Sequence, residues 1–65
     1  MNSRELLRKL RRLGASVVVD RGKGGHVMVK IGDRHSFVPT GSREIRPGTF
    51  AAILRDLGIK REDLN

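Results

Sequence analysis

Residues 22–26 read Gly-Lys-Gly-Gly-His, which sets three glycines and a cation directly ahead of one of the chain's 2 histidines. Imidazole titrates near neutral pH, so His26 can take a proton from one oxygen and return it to another. Glycines ahead of it, Gly24 and Gly25 among them, let the main chain approach a ligand closely and can aim amide N–H groups at phosphate oxygens. Lys23, with Arg21 and Arg34 as further cations near the stretch, can stabilise the added negative charge of a phosphorane-like transition state. These are the parts of a minimal phosphodiester-cleaving site that needs no metal or other cofactor. The same five residues also suit a loose hairpin turn, because glycine-rich turns ending on an exposed histidine are common. The surrounding sequence must decide.

Charge favours a polyanion. Lysine and arginine total 14 against 7 acidic residues, a net +7 on a 65-residue chain, which points to a polyanionic partner. Residues 1–13 carry +4, residues 15–39 carry +2 and residues 40–65 carry +1, so the basic surface belongs to the N-terminal segment and the region around the glycines. A domain of this length buries only about 60% of the surface its unfolded chain exposes. A deep pocket is not expected, and an open site gripping a polymer is. RNA fits this chemistry, since its 2′-hydroxyl, once deprotonated, can attack the adjacent phosphorus and expel the 5′-oxygen. DNA lacks that hydroxyl.

Other classes are disfavoured. The chain has 0 cysteines, so neither disulfides nor a cysteine-based zinc site can support it. No signal-peptide pattern is present and no apolar run approaches the roughly 20 residues of a membrane span. A cytoplasmic protein without a membrane partner is the expectation.

The elements that must position His26 are legible. Leu6, Leu7, Leu10 and Leu13 fall at i, i+1, i+4 and i+7, one stripe of an amphipathic helix. Asn2 or Ser3 can cap its start, Asn2 and Glu5 having capping-box spacing, and Gly14 stands where a left-handed residue would close it. Arg4, Arg8 and Arg11 lie opposite the leucines as a basic ridge. Residues 15–21, 27–31 and 36–38 read as three strands, joined by residues 22–25 and by Gly32-Asp33, the latter suiting a two-residue turn. Phe50, Ile53, Leu54 and Leu57 mark a second helix after Pro47, with Gly58 at its C′ position and Ile59 folding back on it. Leu64 anchors a further turn. The expected class is α+β: a single domain over residues 1–65, in the order α-β-β-β-α, with a three-stranded antiparallel sheet and both helices on one face.

In the second strand Val27, Val29 and Ile31 share the core face, so His26, Met28 and Lys30 point outward. A two-residue turn at Gly32-Asp33 pairs Met28 with Phe37 and sends Val38 inward, whereas a three-residue turn puts Phe37 in the core. Both registers are open from the sequence. With His26 opposite Pro39, His35 lies four residues away along the sheet, about 13 Å, too far for an acid–base pair. His35 then reads as a hairpin surface residue.

Several features occur in order: the leucine-rich helix closed by Gly14, Lys23-Gly24-Gly25-His26 opening the second strand, and Val38-Pro39 ending the third. Arg46-Pro47-Gly48-Thr49-Phe50 then leads into Ile53-Leu54 and Leu57-Gly58-Ile59. In this the chain resembles the HicA toxin family over residues 3–64, small endoribonucleases that act on messenger RNA and are neutralised by HicB antitoxins. The resemblance implies a fold like double-stranded-RNA-binding domains, an mRNA substrate and a HicB-type antitoxin as partner. The family's usual motif is Gly-Ser-His-His with its first histidine implicated in cleavage, which implies catalysis by His26. Here Gly25 replaces the serine, Val27 replaces the second histidine, and Gly41 stands near where many relatives carry a histidine.

Two other functions remain. One is a non-catalytic module that binds A-form RNA through Arg4, Arg8, Arg11 and the glycine-rich hairpin, although only Arg43 and Arg46 precede the second helix where a lysine cluster would help. The other is a domain whose basic face docks an acidic protein. A single-strand reader of the stacking type is disfavoured, because Phe37 and Phe50 are the only aromatics and Phe50 belongs to a core stripe.

Overall fold

A computed structural model describes residues 1–19, 25–40 and 44–64. Helix α1 runs Ser3–Arg12, and strands β1 (Ser16–Val19), β2 (His26–Ile31) and β3 (Arg34–Pro39) follow. Helix α2 (Pro47–Leu57) and a 3₁₀ turn (Arg61–Leu64) complete the chain. The α+β class and the α-β-β-β-α order are those expected.

Asn2, not Ser3, caps α1: its Oδ1 accepts from the Glu5 N–H at 2.8 Å, satisfying one of the helix's orphan donors. At the other end Gly14 has φ 94°. The Gly14 N–H donates to Arg11 O and the Ala15 N–H to Leu10 O, each at 3.0 Å; this pair of bonds closes a helix through a left-handed residue. Leu6 and Leu10 are fully buried (0% exposed), but Leu13 is 38% exposed. Leu13 fails to extend the stripe because the chain leaves helical geometry there, at φ −84°, ψ 0°. The arginine row of α1 faces away from Leu6 and Leu10, and the half-buried Leu7 borders it.

The sheet has the order β1-β2-β3, all antiparallel. Ile31 pairs with Arg34, so Gly32-Asp33 is a two-residue turn, with Gly32 at φ 58°. That register carries pairing right up to the turn and out to His26 opposite Pro39, which makes β3 longer at both ends than the three residues its hydrophobic run marks. Inward come Val27, Val29, Ser36 and Val38, all buried, to meet Leu6, Leu10, Phe50, Ile53, Leu54 and Leu57 from the two helices. Ser36, polar on a core face, donates from Oγ to Asp56 Oδ2 at 3.0 Å and ties β3 to α2. Outward point His26, Met28, Lys30, His35 and Phe37, and no element covers them among the described residues.

Helix α2 begins at Pro47, whose fixed φ suits the first helical position, and closes on Gly58 at φ 71° with Ile59 N–H donating to Leu54 O at 3.0 Å. Leu64 is buried as the anchor of the last turn. Arg34 lies across Gly58: a Cβ there would meet its Cδ and Nε at 2.9 Å, and its Nη1 reaches Arg55 O and Asp56 O at 3.5 Å. The guanidinium thus sits on the negative end of the α2 dipole. Gly58→Ala combines left-handed strain with displacement of Arg34, and should cost about 1–2 kcal/mol; urea unfolding with unchanged m and a lowered midpoint is the expected readout.

Candidate nucleic-acid interface and histidine corner

The alternation of β2 sends Val27 into the core at 7% exposure and leaves His26 exposed as the strand's first residue. Because successive side chains change face, the side chain of residue 27 points away from that of His26. The corner is built by main chain. Gly25, at φ 106°, accepts a hydrogen bond through its carbonyl from the Thr40 N–H at 2.9 Å, extending the β2–β3 pairing one step past His26 and Pro39. The φ is one that side-chain-bearing residues rarely adopt, so the glycine here has a conformational reason.

Thr40 does a second job. Together with Ser3 and Leu7 it borders a groove along α1 whose charged lining is Arg4, Arg8, Arg11 and Arg12. The hydrogen bond between Thr40 and Gly25 therefore joins the end of this basic groove to the residue preceding His26. Among the described residues none of the four guanidinium groups is taken up in an ion pair; the pair formed there is between the Met1 ammonium and Glu44, at 2.8 Å. The three arginines expected as a ridge are brought together. Arg12 was missed, although Arg4, Arg8 and Arg12 form an i, i+4, i+8 row that marks one helix face. Thr40 carries no such signal, since only the hairpin register brings it beside Gly25.

Of the other expected site residues, Arg21, Lys23 and Gly24 lie outside the described residues. Arg34 does not join His26. Its strand position opposite Ile31 is five residues along the sheet from the His26–Pro39 pair, about 16 Å, and its guanidinium is engaged at the end of α2. The physical reason is the antiparallel hairpin itself: His26 opens β2 and Arg34 opens β3, so the two lie at opposite ends of it. His35 pairs opposite Lys30, four positions from His26, as the two-residue register requires. Among the described residues no three His, Cys, Asp or Glu side chains gather as a metal site, and no helix is long and apolar enough to cross a membrane.

No curated protein matches the chain. A family model does: the HicA toxin of bacterial toxin–antitoxin systems, over residues 3–59. The matched span starts on the first residue of α1 and ends on the isoleucine that folds back onto α2. It takes in the whole sheet, both core-forming helices and the corner at His26, and on that basis the chain belongs to the HicA toxin family.

Proposed function

We propose that this chain is a metal-independent endoribonuclease toxin that cleaves messenger RNA in the cytoplasm, with His26 as its general acid–base group. The observation that carries the reading is the junction described above: an exposed imidazole next to Gly25, whose carbonyl is bonded to the rim of a four-arginine groove. The groove supplies sequence-independent attraction for a phosphate backbone. The imidazole supplies the proton chemistry at the place where that backbone would turn onto the sheet.

The reaction needs few parts. His26 in its neutral form removes the 2′-hydroxyl proton, the 2′-oxygen attacks the neighbouring phosphorus, and the bond to the 5′-oxygen breaks. The leaving oxygen takes a proton back from the imidazolium, so the histidine ends as it began. The products are a 2′,3′-cyclic phosphate and a 5′-hydroxyl. Lys23, two residues beyond the described segment, supports the charge that develops on the nonbridging oxygens. Gly24 and Gly25 keep side chains out of the way of the strand. A HicB-type antitoxin would neutralise the activity by covering this cationic corner.

A catalytically silent RNA-binding module predicts the same groove, and His26 separates the two. His26→Ala should lower cleavage of single-stranded RNA in excess chelator by about 10²–10⁴-fold, the range for loss of a positioned acid–base group, while circular dichroism stays unchanged because the ring is exposed. Undiminished cutting by this variant removes His26 from the chemistry, and intact RNA with wild-type protein at high concentration favours the silent module.

The groove has its own test. Replacing Arg8 and Arg12 together by Gln should weaken binding to single-stranded RNA and reduce the slope of log K against log salt by about 1.4, roughly 0.7 for each phosphate that is no longer neutralised. An unchanged slope, measured by fluorescence anisotropy over a salt series, means that the backbone runs elsewhere.

A further inference from the structure

The open face of the sheet carries an apolar row that the cleavage chemistry does not use. Val18, Met28 and Phe37 are paired across the three strands, and Phe37 is 56% exposed, more than either Val18 or Leu13. On a body this small and this polar an exposed phenyl ring in mid-strand is costly to keep wet. Its ring is also held: the His35 imidazole meets it edge to face, with centroids 6.0 Å apart and planes at 87°. A held, solvent-facing aromatic ring offers a flat stacking surface.

What would cover it is limited by charge. The outward positions of the three strands are Ser16, Val18, His26, Met28, Lys30, His35, Phe37 and Pro39, cationic or neutral throughout. A second copy of a +7 chain is repelled from such a face. A ligand that is anionic and also presents planar apolar surfaces is attracted, and unpaired nucleic acid is that ligand, whereas a duplex hides the faces of its bases within its own stack. Position strengthens the assignment. His26 pairs with Pro39, and Phe37 is two residues back on the same face, which makes His26 and Phe37 diagonal neighbours about 7–8 Å apart.

We propose that Phe37 is a base-stacking platform, on which an unpaired nucleobase adjoining the phosphodiester at His26 is seated, so that the chain takes single-stranded RNA in preference to duplex. The assignment rests on the RNA-cleaving reading for its substrate and adds the strand state and a positioning residue. The strand runs along the α1 arginines, rounds the corner at Thr40 and Gly25, passes His26 and lays its next base on Phe37. This reverses the expectation that two aromatics are too few for a stacking reader. A single ring suffices when the register exposes it beside the reacting group.

The test uses a 2′-O-methyl oligoribonucleotide that carries 2-aminopurine and cannot be cut through its own hydroxyl. The protein has 0 Trp and 0 Tyr, so the fluorescence of the base analogue is read without background. Wild-type protein should quench the single-stranded probe on binding, and Phe37→Ala should lose the quench and bind roughly 5- to 150-fold more weakly, the effect of removing one stacking partner. Phe37→Leu, which keeps the apolar surface but not the ring, should behave like Phe37→Ala, and Phe37→Trp should restore both readouts. The same probe annealed to its complement should bind without quenching. Wild-type affinity and quench in Phe37→Ala overturn the proposal, as does equal quenching of the duplex. So does a Phe37→Ala variant that binds the probe normally but no longer binds its antitoxin, which would give the face to a protein. Because the probe is inert to cleavage, a failure of His26 as catalyst would appear in the cutting assay alone, and failure of the platform in this one.

Discussion

The two-residue turn at Gly32-Asp33 is the constraint on which the rest of the structure depends. It fixes Ile31 opposite Arg34 and, counting back along the hairpin, His26 opposite Pro39. Side chains in a strand alternate with a period of two, so a slip of one residue would move an entire set from one face to the other. In the observed register Ser36 and Val38 enter the core and Phe37 leaves it. Extended by one step, the same register bonds Gly25 to Thr40 and so brings the histidine corner to the edge of the arginine groove. The chemistry proposed for His26, the route of the backbone and the exposed ring all follow from one short turn.

Size explains why the site takes this form. A sheet of three strands with two helices on one face has a single core layer, and among the described residues nothing packs against its other face. Function on such a body must be spread over surface. In the proposed reading it is divided among a helix that supplies charge, a strand terminus that supplies the acid–base group and a strand centre that supplies a stacking ring. Each element turns its inward residues to the core and its outward residues to solvent, Leu6 and Leu10 against Arg4 and Arg8 in α1, Val27 and Val29 against His26 in β2. The glycine at position 25 belongs to the same division: with φ 106°, it lets the backbone make the corner itself.

Much of this was legible in the sequence, because the signals are local. Asn2 and Gly14 bracket the first helix and Pro47 and Gly58 the second through capping chemistry that acts within a turn or two. The valines of β2 announce their alternation, which is why His26 could be placed outside from sequence alone. Features set by pairing across the sheet were not legible. The sequence allowed Phe37 on either face, since the two possible turns differ by one residue, and it gave no sign that Thr40 would meet Gly25. Arg34 shows the limit most clearly. Its charge invited a place beside the phosphate, and only the register reveals that it spends its guanidinium on the end of α2. The cations expected at positions 21 and 23 fall outside the described residues, and of the two only Lys23 enters the proposed mechanism.

The central claim is that one exposed imidazole suffices because the substrate brings its own nucleophile. End-group analysis of RNA cut by the purified protein tests this most directly. Fragments ending in 2′,3′-cyclic phosphate and beginning with 5′-hydroxyl, with no cutting where the nucleotide before the scissile bond is 2′-deoxy, are the predicted result. Fragments beginning with 5′-phosphate, or cleavage that survives the 2′-deoxy substitution, would contradict it, since water and not the ribose hydroxyl would then be attacking the phosphorus.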